Sequence, residues 1–159
     1  MDIAAFDPSL SATGVWIEKQ QVSHLITTDK RQSRFERLGH IHQAVVRLLK
    51  EARPEVVAVE GYAFGISNSR SITVQAEVGG IIRSVAQVLG CHVIEVPTAS
   101  WKSKVMGRDM IRAKKGTKVE RALYLGFVKQ ISGRQFNSCD EADAWMIARF
   151  VITREAVLT

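Results

Sequence analysis

Two hydrophobic periods alternate along this chain. Ile3-Ala4-Ala5-Phe6 is a continuous apolar run closed by Asp7, which predicts a short buried strand. The turn-rich stretch from Asp7 to Gly14 leads into a second strand, Gly14 to Glu18. Lys19-Gln20-Gln21 then turns the chain into a third, Val22 to Thr28. Ser33-Arg34-Phe35-Glu36 has the spacing of a capping box, and the period changes to 3.6 behind it. Phe35, Leu38, Ile41, Val45, Leu48, Leu49 and Ala52 form one helical stripe, stopped by Pro54. Glu55 to Val59 predicts a fully buried, parallel strand that ends at Glu60. A polar loop from Gly61 to Ser71 precedes a helix over Thr73–Leu89, with Gly79-Gly80 inside it and Gly90 as its cap.

His92 to Val96 is the next strand, and a short helix follows around Ala99–Met106. Thr117-Lys118-Val119-Glu120 and Ser138-Cys139-Asp140-Glu141 are two more capping boxes. One opens a helix to about Gln130 and the other the remaining helix. The order predicts one α/β domain over residues 1–159, with a mixed β-sheet in which an antiparallel meander is joined to parallel strands crossed by helices.

Charge adds one feature. The net charge is +6, and Lys102, Lys104, Arg108, Arg112, Lys114, Lys115, Lys118 and Arg121 face only Asp109 and Glu120 between residues 101 and 121. That stretch carries the whole surplus. It suits a polyanion such as nucleic acid, and equally a solvated charged loop; composition leaves both readings open. Cys91 and Cys139 lie far apart without zinc-ligand spacing, so both are expected to be reduced structural thiols. No apolar run reaches spanning length and no basic-then-apolar leader is read at Met1, so a cytoplasmic protein without membrane partners is expected.

The candidate chemistry is carboxylate chemistry. Parallel strands bring their carboxyl ends to one sheet edge, where ligands usually bind, so Asp7 and Glu60 are expected together there. Asp140 and Asp143, three apart on the Ser138 helix, can join them. Acidic residues in a first turn also suit the helix dipole without further purpose. Four gathered carboxylates raise one another's pKa and call for cations. Hard oxygen donors suit Mg²⁺ or Mn²⁺, and two ions roughly 3.5–4 Å apart can hold the attacking water and leaving oxygen of a phosphodiester.

Ile3-Ala4-Ala5-Phe6-Asp7-Pro8-Ser9 with Thr13-Gly14, Val57-Ala58-Val59-Glu60, and Asp140-Glu141-Ala142-Asp143-Ala144 resemble the three motifs of the RuvC family of Holliday-junction resolvases, in the ribonuclease H-like superfamily. Val96-Pro97-Thr98-Ala99-Ser100-Trp101-Lys102 resembles the family's segment before its basic loop. The resemblance runs in order over nearly the whole chain. A lone DxxD is weak, whereas D…E…DxxD in this strand-and-helix context is specific.

The resemblance implies that Asp7, Glu60, Asp140 and Asp143 are catalytic carboxylates holding two Mg²⁺ ions, with Mn²⁺ able to substitute. It puts Lys102 and Lys118 beside the scissile phosphate, with Lys114 or Lys115 as alternatives to Lys118, because the 106–117 stretch is longer and more basic than the family's. Glu60-Gly61-Tyr62-Ala63-Phe64-Gly65 is similar to the second motif of phage-type members. The aromatic that bacterial members carry three residues after the glutamate is Ala63 here, so Tyr62 or Phe64 is the candidate contact to the junction, against core packing as the other reading. Arg70, Lys104, Arg108, Arg112, Lys114 and Lys115 are the expected DNA contacts.

The implied activity is paired nicking of four-way junctions by a homodimer in a bacterial or phage-infected cell. Gly79, Gly80, Ile81, Ile82, Val85, Val88 and Leu89 are the expected dimer face. A broader branched-DNA nuclease and a non-catalytic junction-binding protein are the alternatives. An actin-like kinase, suggested by the Asp7–Gly14 turn, lacks a second lobe and a Walker lysine, so no nucleotide cofactor is expected.

Overall fold

The computed structural model describes residues 1–61, 69–102 and 117–158, without the side chains of 69–71, 119 and 155–158. Five strands form one sheet: β1 (Ile3–Asp7), β2 (Ala12–Ile17), β3 (Val22–Thr27), β4 (Val56–Glu60) and β5 (His92–Val96). Their spatial order is β3-β2-β1-β4-β5. The meander β1-β2-β3 is antiparallel, whereas β4 lies parallel to both β1 and β5. The helices are α1 (Arg34–Ala52), α2 (Ser69–Val88), α3 (Thr98–Trp101), α4 (Lys118–Ser132) and α5 (Cys139–Leu158).

Strand alternation divides the core into two layers. Ala4, Phe6, Val15, Ile17, Val57 and Val59 pack beneath α1 and α2. Ile3, Ala5, Trp16, Val56, Ala58 and Val96 pack beneath α4 and α5. Asp7 continues the Ile3-Ala5 series and Glu60 the Val56-Ala58 series. By the period of two, both carboxylates therefore belong to the α4/α5 face.

The helix ends follow the capping chemistry. Ser33 and Thr117 form complete capping boxes with Glu36 and Glu120, each cap contributing about 1 kcal/mol. At α5 the Ser138 hydroxyl caps the Glu141 N–H at 3.1 Å, and it donates to Glu141 Oε2 at 3.0 Å. Glu141 Oε1 accepts from Ser23 of β3 at 2.8 Å, which ties the start of α5 to the sheet.

One expectation needs correction. Phe35 is 75% exposed, its ring under the Arg34 guanidinium; the first turn of α1 is exposed and full burial begins only at Ile41. Among the described residues, no other element of this chain approaches Gly79 or Gly80 closely. A methyl on Gly80 meets nothing within 4 Å, and one on Gly79 meets only the Arg83 side chain. Of the expected dimer face, Ile82 and Val85 are buried beneath the sheet, and Val88 and Leu89 are exposed. The predicted short helix is seen as Thr98–Trp101, and its continuation past Lys102 lies outside the described residues. Among the described residues, no helix is long and apolar enough to cross a membrane.

Candidate active site

Gly14 sets the geometry. It pairs with Asp7 across β1 and β2. The start of α5 lies so close that a Cβ built on Gly14 would stand 1.9 Å from the Asp140 carbonyl oxygen and 2.9 Å from the Glu141 nitrogen. Only glycine permits this approach, and it brings Asp140 beside the end of β1. Phe136 holds the preceding loop down by packing edge-on against Trp16 at 6.0 Å, and it also meets Trp145 of α5. The turn after Asp7 is closed by Thr13, whose buried hydroxyl donates to the Ser9 carbonyl at 2.6 Å and accepts from the Ser9 N–H.

On the neighbouring strand, Phe6 pairs with Val59, so Asp7 and Glu60 end adjacent strands side by side. Beyond Glu60 the Gly61 N–H donates to the Val96 carbonyl, and the Gly61 carbonyl accepts from the Thr98 hydroxyl, which fixes the exits of β4 and β5. Glu60 is buried. Its Oε1 accepts from the Trp101 indole N–H at 3.0 Å and lies 3.5 Å from Lys102 Nζ, and Gln75 reaches Oε2 at 3.5 Å. The Lys102 ammonium also stands over the Trp101 ring.

Asp143 is buried too, and the Tyr124 hydroxyl of α4 donates to its Oδ1. A hydrogen bond to a charged acceptor contributes about 1.5–3 kcal/mol. The surroundings of this hydroxyl show what converges there. Burial first, and then the charges of Cys139, Asp7, Glu60 and Asp140, push the Tyr124 phenol far above its usual range. Of the four carboxylates expected from the sequence, Asp143 is hydrogen-bonded to this hydroxyl, and Asp7, Glu60 and Asp140 lie near enough for their charges to act on it.

These are hard oxygen donors, with Lys102 as a nearby cation, so in donor type they fit Mg²⁺ or Mn²⁺. The arrangement present is the hydrogen-bonded one. Among the described residues, no three His, Cys, Asp or Glu side chains close on a single point as an ion requires.

The other expected residues divide in two. Lys102 enters the site, while Lys118 is exposed at the first position of α4. Tyr62, Phe64, Lys104, Arg108, Arg112, Lys114 and Lys115 lie outside the described residues, as does the side chain of Arg70. Tyr124 is an addition that the sequence motifs do not contain, and Trp101, inside the Val96–Lys102 segment, gains a role that the sequence reading did not give it. The available signal is their polar tip: a tyrosine or tryptophan at an inward-facing position must find a hydrogen-bond partner.

A mixed sheet with order β3-β2-β1-β4-β5, helices on both faces and carboxylates on the ends of β1, β4 and the start of α5 defines a protein of the ribonuclease H-like fold. Known proteins narrow the class. The structure superposes on Thermus thermophilus RuvC in complex with Holliday junction substrate with a TM-score of 0.78, at 21% identity, over 100% of this chain and 97% of that one. The sequence is 26% identical over 155 residues to the crossover junction endodeoxyribonuclease RuvC of Sphingopyxis alaskensis, spanning 93% of this chain and 94% of that protein. It is 34% identical over 95 residues to the same-named protein of Thermosipho melanesiensis, a match covering 55% of this chain and 60% of the relative. No protein-family model matches the chain. In sequence and in fold, this chain is therefore similar to the RuvC proteins.

Proposed function

We propose that this protein is a RuvC-type endonuclease that resolves four-way DNA junctions by paired nicks, acting as a homodimer with two Mg²⁺ ions in each active site. The observation that supports the reading is the placing of Asp7 and Glu60 at the ends of adjacent strands, with the Asp140 backbone seated on Gly14 opposite Asp7 and Asp143 one turn further along α5, in a chain with the RuvC fold. The similarity to proteins named crossover junction endodeoxyribonucleases supports the substrate class.

In this reading the four carboxylates hold the ions, which supply an activated water and stabilise the leaving oxygen. Lys102, already within 3.5 Å of Glu60, faces the phosphate and counters charge that develops on it. The basic stretch from Lys104 to Lys118 holds the DNA arms through their phosphates. A four-way junction is close to two-fold symmetric and one domain supplies one site, so opposed nicks require a pair of subunits about a two-fold axis.

The test is a panel of synthetic four-way, three-way and linear DNA, incubated with and without Mg²⁺, for wild type, Asp7→Asn and Asp143→Asn. Wild type should nick the four-way junction in opposed strands only with the ion. Both variants should lose cleavage and keep their affinity for the junction. Equal cutting of all branched substrates would replace the reading by a general debranching nuclease, and near-normal cutting by both variants would end the carboxylate assignment.

A further inference from the structure

Two of the hydrogen bonds on the carboxylates come from an unusual kind of donor. Glu60 is held through Oε1 by the indole of Trp101, and Asp143 through Oδ1 by the hydroxyl of Tyr124. Both aromatics are fully buried, Trp101 on α3 and Tyr124 on α4, so each is itself fixed by the packing around it. Both are neutral. A lysine or arginine in either place would orient its carboxylate but also cancel the charge and compete with an incoming cation. A neutral N–H or O–H fixes one oxygen without itself cancelling the negative charge; at Glu60 the Lys102 ammonium is a separate neighbour of the same oxygen.

From this we infer that Tyr124 and Trp101 are positioning residues, which hold Asp143 and Glu60 in the orientation that receives divalent ions. The inference rests on the metal-dependent reading above and adds residues to it. The two donors come from separate helices, so they fix carboxylates carried by different elements, β4 and α5, independently of each other. Such outer hydrogen bonds to metal-binding side chains typically carry about 10–100-fold in metal affinity. Lys102 shares Glu60 Oε1 with Trp101 at the longer distance of 3.5 Å and is partly exposed.

The variant that isolates the effect is Tyr124→Phe, which removes one oxygen atom and keeps the ring. The readout is the half-saturating concentration in calorimetric titrations of Mg²⁺ and Mn²⁺, measured without DNA, beside the metal-free melting temperature. A site that is merely less stable lowers the metal-free melting temperature and leaves the half-saturating concentration where it was. Loss of a positioning residue moves half-saturation itself, by about 10–100-fold to higher concentration. In cleavage assays, activity should then recover as Mg²⁺ is raised. Trp101→Phe, acting through Glu60, should show the same displacement, and it decides the matter if Tyr124→Phe does not fold. Half-saturation equal to wild type overturns the inference and leaves the metal-dependent reading standing. A wild-type protein with no response to either ion overturns both.

Discussion

Replacing Gly14 by alanine adds one methyl group at the point where α5 crosses β2. That carbon would stand 1.9 Å from the Asp140 carbonyl oxygen and 2.2 Å from its carbon, against the 3.0 Å below which a real Cβ does not approach. The clash is with backbone, so no side-chain rotation relieves it. The start of α5 must retreat by about 1 Å, carrying Asp140 and Asp143 away from Asp7 and Glu60, a misplacement that costs on the order of 100-fold in rate. Overpacking of this kind destabilises by about 1–3 kcal/mol. In a domain of this size that lowers the melting temperature by roughly 2–12 °C. The assay pairs thermal unfolding with single-turnover cleavage of a four-way junction in Mg²⁺. Gly39→Ala is the control, because a methyl there meets nothing within 4 Å on an exposed turn of α1. It should stabilise by about 0.4–1 kcal/mol and leave cleavage unchanged. A Gly14→Ala protein that melts and cuts like wild type would show that the close seat of α5 on β2 does not set the carboxylate geometry.

Two further outcomes are expected. Changing Arg112, Lys114 and Lys115 together to alanine should weaken junction binding and reduce the slope of log K against log salt by about 0.9 for each phosphate that is no longer neutralised; an unchanged slope, measured by fluorescence anisotropy, would make these side chains a solvated loop. Burial pushes the Glu18 carboxyl up, but hydrogen bonds from Arg149, Trp16 and Gln21, with the Arg149 charge, outweigh it and hold the pKa below its ordinary 4.5. A depressed folded pKa gives stability that is present above the unfolded value and vanishes as pH falls through the folded one. Wild type should therefore melt above Glu18→Gln at neutral pH by the equivalent of about 1 kcal/mol, with the gap closing as pH falls below 4.5. A gap constant from about pH 7 to about pH 3 in calorimetric scans would refute this.

Local rules carry much of the fold. The apolar runs that end in Asp7 and Glu60 are strands, the three Ser/Thr-to-Glu spacings start helices, and the change of period separates the meander from the crossovers. These features depend on residues within a few positions of each other, so they are visible in a linear reading. Phe35 departs from its stripe because a helical period does not tell where the helix overhangs its sheet. At Gly79 and Gly80 no other element of this chain comes close among the described residues. At Gly14, where the approach is real, the partner is the backbone of Asp140, far along the chain. The same distance hides Tyr124, which sits four residues from buried Val128 and reads as ordinary core. Its hydroxyl gains a meaning only once α4 and α5 are packed together.

The placing of Asp7 on the first strand and of Asp140 and Asp143 on α5 also has a consequence for synthesis. A growing chain folds from its N-terminal side at about 5–20 residues per second. Both β1 and β4, with their carboxylates, can pair while residues beyond 138 are still being added. Until α5 emerges and docks on Gly14 and Ser23, half of the acidic cluster is missing. Because α5 also supplies much of the core on that face of the sheet, the packing of this layer and the completion of the acidic cluster arrive together, in one late step.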